Sequence, residues 1–284
     1  METLADALRA AAASLTDSDS PQLDAELLLG HVLGRDRSHL RAHPEAALDA
    51  AQARRYAGLV EDRRRGEPIA YLTGEREFWS LRLKVTSATL IPRPETELLV
   101  EQALELISSA ADWDILDLGT GSGAIALAIA KERPHCRVAA VDISADALAV
   151  ARDNAHRLQI TNVEFLQGDW FTPVADRRFH MVVSNPPYVG SGDPHLEEGD
   201  LRFEPKQALV SGGDGLQDIH RIVSDAASHL HPGGHLLLEH GFGQGASVRA
   251  SLQAMGFTDA RSMHDLAGHE RISLARYAKH GAAR

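Results

Sequence analysis

A doubly wound α/β sheet of seven strands, preceded by a small helical domain and a β-hairpin, is the fold this 284-residue sequence predicts. Three observations carry that prediction. Short apolar runs alternate with segments of helical spacing from residue 115 onward. A glycine-rich turn, Gly119-Thr120-Gly121-Ser122-Gly123, joins the first run to a helix of small residues. The residues with chemistry stand just beyond the runs, at the carboxyl ends of strands, where open α/β sheets bind ligands.

Residues 1–75 read as a helical domain. Ser20 is placed to cap a helix with Pro21 at its first position. Ala25, Leu28, Leu29, Val32 and Leu33 repeat at helical spacing, and Gly34 ends the run. Ala53, Tyr56, Ala57 and Val60 form a second stripe, with Arg63-Arg64-Arg65 read as a solvated helix end that suits the dipole before a contact for an acidic partner. Over 76–90, Phe78, Leu81, Leu83 and Val85 interleave with polar residues, which indicates a hairpin between domains. The larger part then spans 91–284. A helix is expected over Glu95–Ser109, with Leu99, Val100, Ala103, Leu104 and Ile107 as its apolar face. Strands follow at Ile115–Leu118, Arg137–Val141, Val163–Leu166, Met181–Val183 and Leu236–Leu238, and Phe257 and Ile272–Leu274 fit two closing strands.

Composition excludes several classes. The net charge is −11, two negative through residue 85 and nine beyond it, whereas a duplex-binding enzyme needs a basic footprint. Acidity suits a cationic small molecule or a basic protein partner. No run of about 18 apolar residues is present to span a membrane. The acidic N-terminus lacks the apolar core of a secretory signal, and the single Cys136 rules out a disulfide framework. A cytoplasmic location is the expectation. The fifteen histidines show no metal-ligand spacing, so no metal is expected. His195, His240 and His269 read as structural or surface residues before general bases, and Glu197, Glu198 and Asp200 as a solvated face. The polar stretch Val189–Leu216 is long enough to be a binding loop.

The glycine turn lets a ligand approach the backbone closely, and the helix behind it offers N–H groups to an anion. Gly119, Gly121 and Ala124 also satisfy the dinucleotide pattern, so a nicotinamide cofactor stays open on the turn alone. Asp142, at the tip of the second strand, can bind both hydroxyls of a ribose, with Ser144 and Asp146 available to cap the next helix. After the third strand, Asp169 can accept from an adenine amino group and Trp170 can cover a ring, unless Trp170 belongs to the core.

Asn185-Pro186-Pro187-Tyr188 is the most specific signal. Each proline fixes φ and removes a donor, so the chain leaves the fourth strand as a stiff platform. That platform offers the Asn185 side-chain oxygen, the Pro186 carbonyl and the Tyr188 ring. Two acceptors and a ring suit a planar NH2 group.

These motifs resemble class I S-adenosylmethionine-dependent methyltransferases that act on planar nitrogen. The likeness narrows to the PrmC/HemK family through Gly66–Gly74, Ile91–Glu97, Asp193–Leu196, Arg202–Pro205 and Gly268–Arg271, and it spans about Gln22 to Arg276. The resemblance implies a Rossmann-like sheet whose last strand runs antiparallel. It also implies methyl transfer to the glutamine amide in the Gly-Gly-Gln loop of class I peptide chain release factors, without stable nucleic-acid binding. Carried over residue by residue, Gly119, Thr120, Gly121, Ser122, Gly123, Asp142, Asp169, Trp170 and Asn185 would hold S-adenosylmethionine. Asn185, Pro186, Pro187 and Tyr188 would hold the glutamine, with Asn185, Pro186 and Tyr188 catalytic. An adenine methyltransferase shares the platform, a nicotinamide oxidoreductase shares the turn, and a release-factor-binding scaffold without activity is a further alternative.

Overall fold

In the computed structural model residues 2–278 are described; Met1 and residues 279–284, the outer ends of the ranges 1–75 and 91–284, lie outside them. Two compact units divide the chain. The first runs through Glu75 and includes His195–Phe203; the second holds Arg76–Pro194 and the chain from Glu204 onward.

The first unit is helical, with α1 (Leu4–Ser14), α2 (Pro21–Leu33), α3 (Arg37–Ala42), α4 (Ala50–Arg64) and α5 (Ile69–Thr73). Leu4, Ala25, Leu28, Leu29, Leu40 and Tyr56 form its core. The Tyr56 hydroxyl satisfies itself on the Ala25 carbonyl at 3.1 Å. Gly34 ends α2 at φ 62°, the left-handed conformation that glycine adopts without strain. Ser20 precedes Pro21 as expected but makes no side-chain cap. Its ψ of 58° departs from the extended geometry at which Thr3, Asp36 and Asp49 cap α1, α3 and α4. Arg63 corrects the expectation of a solvated helix end, because its side chain is only 16% exposed. It pairs with Asp24 at 2.8 Å and with Asp200 at 3.0 Å, so Asp200, still 45% exposed, is tied to α4 from a solvated position. Arg64 and Arg65 pair with Glu61 and Asp62 on the exposed side of α4.

The hairpin, β1 (Glu75–Phe78) and β2 (Leu81–Lys84), turns through Trp79 and Ser80, both at positive φ. Then follow α6 (Glu97–Leu106), β3 (Asp114–Leu118), α7 (Ala124–Glu132), β4 (Arg137–Asp142), α8 (Ala145–Arg157), β5 (Val163–Gln167), β6 (Phe179–Ser184), α9 (Gln217–His229), β7 (Leu230–Glu239), α10 (Gly245–Ala254), β8 (Phe257–His264) and β9 (Glu270–Tyr277). The helix α6 is shorter than expected because Pro94–Thr96 form a 3-10 turn ahead of it and Ile107 is already extended.

The sheet order is β5-β4-β3-β6-β7-β9-β8. β3 to β7 run parallel, and the last strand, β9, is antiparallel to both its neighbours. Alternate strand residues feed two apolar layers. Ile115, Val138 and Val183 pack with α6 and α7, whereas Leu116, Val141 and Leu236 pack with α9 and α10. The chain winds outward from β3 through β4 to β5, then returns to place β6 on the other side of β3. That reversal opens a crevice at the carboxyl ends of β3 and β6, the ligand position in this architecture. Among the described residues no helix is long and apolar enough to cross a membrane.

Candidate active site

Strand register assembles the site. Leu118 pairs with Val141 on one side and with Ser184 on the other, and Asp142 pairs with Gln167. Gly119, Asp142, Gly168 and Asn185 therefore stand along one rim. A cavity of about 430 Å³ opens there, lined by Gly119, Gly121, Asp142, Asp169, Trp170, Asn185 and Pro187 among others. Thr120, Ser122, Gly123, Pro186 and Tyr188 are not among its lining residues.

Those turn residues serve the turn itself. Gly123 lies at φ 85°, and a Cβ there would press within 3.3 Å of Leu127 on α7 and Ala151 on α8, so side chains of both helices pack directly on bare backbone. The Thr120 hydroxyl donates to Asp117 at 2.6 Å. The Ser122 carbonyl accepts from Asn154, whose buried amide also bonds the backbone of Lys84 through both its oxygen and its nitrogen.

Two carboxylates take the N–H groups expected to meet an anion. Asp117, fully buried, accepts from Ala126 N–H in the first turn of α7. Asp142 accepts from Gly121 N–H at 2.8 Å and from Ser144 N–H at 2.9 Å. Burial pushes Asp117 up to about 7, with Asp142 adding to it, and burial likewise raises Asp142. A pyrophosphate would meet negative charge where the dinucleotide pattern offers free N–H groups. The donor set instead suits a cation and a diol, because each Asp142 oxygen retains a lone pair. Gly119, at φ 71°, keeps the backbone bare opposite Trp170, whose ring would lie 3.5 Å from an added Cβ. These features fit S-adenosylmethionine, with its sulfonium charge, ribose diol and adenine ring.

Asp169 is held by a residue sequence reading missed. Arg221 on α9 grips both its oxygens, at 3.0 and 2.6 Å, and both residues line the cavity. Helical spacing marks Arg221 only as the polar side of α9. Trp170 lies at φ 47°, lines the cavity and packs on the core beneath it. At the platform, Asn185 Nδ2 donates to the Thr96 hydroxyl at 3.1 Å. The Tyr188 hydroxyl donates to Glu239 at 3.2 Å. Burial, then Glu239, raises the Tyr188 pKa, so the phenol stays protonated. His240 is buried against Ser273, and His195 belongs to the first unit.

A model of the PrmC N-terminal domain matches residues 6–74, and one of the methyltransferase small domain matches residues 94–214. A release factor glutamine methyltransferase of Salmonella typhimurium is 52% identical over 270 residues, covering 95% of this chain and 97% of the relative. One of Vibrio cholerae is 50% identical, covering 97% of each chain. The chain belongs to the release factor glutamine methyltransferase family.

Solved structures bear out the Rossmann-like fold of the family. A Pyrococcus furiosus methyltransferase superposes with a TM-score of 0.53 at 17% identity, over 70% of this chain and 89% of that one. A Thermus thermophilus 16S rRNA methyltransferase gives 0.51 at 20% identity, over 71% and 49%. Two of the family-like segments meet in the second unit. Glu204, from Arg202–Pro205, pairs with Arg93 and accepts from Ile91 N–H at 3.0 Å.

Proposed function

We propose that this chain transfers the methyl group of S-adenosylmethionine to the side-chain amide nitrogen of the glutamine in the Gly-Gly-Gln motif of class I release factors. The relatives' names supply the reaction, and the acidic surface weighs against a nucleic-acid substrate. The observation that carries the site assignment is the Asn185–Thr96 hydrogen bond. It uses the Asn185 NH2 group, which in this reading leaves Oδ1 of this cavity-lining residue as the acceptor for the substrate.

Gly119, Gly121, Asp142, Asp169 and Trp170 would hold the methyl donor, with Thr120, Ser122 and Gly123 shaping the turn. Once bound, S-adenosylmethionine supplies a methyl group already activated by its sulfonium charge. A carboxamide nitrogen is a weak nucleophile, since its lone pair is delocalised. Asn185 Oδ1 and the Pro186 carbonyl accept the two hydrogens of the substrate amide and so restrict it to one orientation. Orientation of this kind supplies several kcal/mol, up to roughly 7–11 in intramolecular models. The same acceptors stabilise positive charge as it develops on nitrogen. Pro187 stiffens the platform, and Tyr188, anchored on Glu239, covers the amide with its ring. The nitrogen becomes acidic after transfer and loses its proton without a dedicated base.

Residues 1–75 act in this reading as the recognition domain, 76–90 as the connector and 91–284 as the catalytic domain. The reaction belongs to the cytoplasm, where release factors work. Incubation with a labelled methyl donor, a purified release factor and a nucleic-acid control tests the assignment. Label on the release-factor glutamine supports it; label on nucleic acid, or none on either, refutes it.

A further inference from the structure

Asn185 and Glu239 leave neighbouring strands at one level of the sheet, each a residue beyond the paired Ser184 and Leu238. Glu239 is 1% exposed and does not line the cavity. Its Oε1 accepts the Tyr188 hydroxyl, and its Oε2 is buried with no hydrogen-bond partner among the described residues. The Thr96 hydroxyl is among the groups that favour the charged form of this carboxyl. Thr96 is buried, and its oxygen already accepts from Asn185.

We propose that Glu239, as a carboxylate, is the positioning residue that fixes which way round the Asn185 amide is held. The inference rests on Asn185 gripping the substrate amide. A carboxylate only accepts, whereas a hydroxyl gives one hydrogen and accepts others. Ionised Glu239 draws the Thr96 hydrogen toward itself. The Thr96 oxygen is then an acceptor, and the Asn185 group that can meet it is NH2. Oδ1 is left for the substrate. The same carboxylate holds the Tyr188 ring through its hydroxyl. A protonated Glu239 can donate to Thr96 instead, which frees the Thr96 hydrogen to turn to Asn185 Oδ1. The flipped Asn185 presents NH2 to the substrate's own NH2, and the grip is lost.

Charged groups on the elements around Glu239 set where this change falls. Burial dominates and pushes Glu239 up to about 7; Tyr188, Thr96 and Arg271 of β9 oppose it, and Glu95 of the 3-10 turn adds to it. Arg93, from the same loop, favours ionisation of Tyr188 but does not overcome burial. His240, the next residue, is buried against Ser273 with its pKa lowered by that burial. Methyl transfer is therefore expected to fall as pH drops through about 7, with methyl-donor affinity unchanged.

Single-turnover transfer to a purified release factor, followed from mildly acid to alkaline pH, tests this together with calorimetric donor affinity. Glu239→Gln should slow transfer by about tenfold or more, leave donor affinity within about twofold and lose the acid limb. Glu239→Asp should regain part of the rate and keep the limb. Thr96→Val should slow transfer by a similar factor, and Glu239→Gln/Thr96→Val no further, because one relay is broken in each. Wild-type rate and pH profile in Glu239→Gln, or an additive double variant, overturns the proposal. Should Glu239→Gln not fold, an unimpaired Thr96→Val does so. Asn185→Ala separates the two levels. If it is inactive while Glu239→Gln is normal, only the role of Glu239 falls. If it is fully active, the site assignment falls with it.

Discussion

Arg93 and Glu204, 111 residues apart in sequence, meet as an ion pair whose carboxylate side is wholly buried. Glu204 also takes the Ile91 N–H, so one side chain holds the proline-stiffened loop ahead of α6. Leu90 and Pro205, next to these residues, line the cavity. Glu204→Ala leaves a guanidinium and a backbone donor without their acceptor. It should destabilise the protein by about 2–4 kcal/mol, toward the low side because Arg93 keeps some water contact. Urea unfolding measures this. A change within about half a kcal/mol of zero would remove the pair from the stability of the fold.

Asn185→Ala removes one of the two acceptors for the substrate amide while leaving the glycine turn intact. The turnover number should fall by about 10²–10³-fold, the usual loss for one preorganised group at developing charge. Methyl-donor affinity, read by calorimetry, should stay within a few-fold. Retained turnover would end the proposed role of Asn185.

Asp142→Asn keeps the shape of the side chain but not its acceptor count. Asp142 receives N–H groups from Gly121 and Ser144, and an amide of the same size must point its own NH2 at one of them. The turn loosens and a ribose loses its anionic acceptor. Donor affinity should drop by about ten- to a hundredfold, since hydrogen bonds to charged groups contribute about 1.5–3 kcal/mol. Unchanged affinity by calorimetry would remove Asp142 from the ribose site.

The sheet and the rim were legible because their signals are local. Apolar runs of strand length, glycines at a strand end and Asn185-Pro186-Pro187-Tyr188 each announce their geometry within a few residues. What lay hidden is what the fold brings in from elsewhere. Thr96 sits on a 3-10 turn 89 residues before Asn185, and Glu239 ends a strand 51 residues beyond Tyr188. Thr96 lies in the family-like segment Ile91–Glu97, but nothing local to it points to Asn185, and Glu239 reads as an ordinary strand-end acid. Arg221 reads as a solvated helix residue until α9 carries it over Asp169. Arg63 misled for the opposite reason. A basic helix end is the common solvated pattern, and only the return of the chain through Asp200 shows that Arg63 is largely covered and paired.

Asp117 gives the fold a pH dependence of unusual sign. The residue falls on the β3 face that packs against α7, among Ile115, Ala126 and Leu127, so its carboxyl is buried. Its Oδ2 accepts from Thr120 and Ala126, but Oδ1 has no hydrogen-bond partner among the described residues. Burial, with Asp142 nearby, pushes the pKa from an ordinary 3.8 up to about 7. Between those values the folded chain holds a proton that the unfolded chain has lost. The unfolded state binds fewer protons there, so folding stability falls as pH rises through the window and is flat above it. The surface carboxyls Asp6 and Asp153, and Asp265 under His269 and Arg271, are held below their usual range by partners and act only at lower pH. Glu239 and Asp142, also raised by burial, add slope of the same sign, so Asp117→Asn should remove the Asp117 share of the slope and leave theirs. Wild type and variant compared by denaturant unfolding at about pH 5 and about pH 8 should differ in their pH response by a few kcal/mol at most. Parallel responses would mean that Asp117 titrates alike in folded and unfolded chains and that its burial is relieved by water.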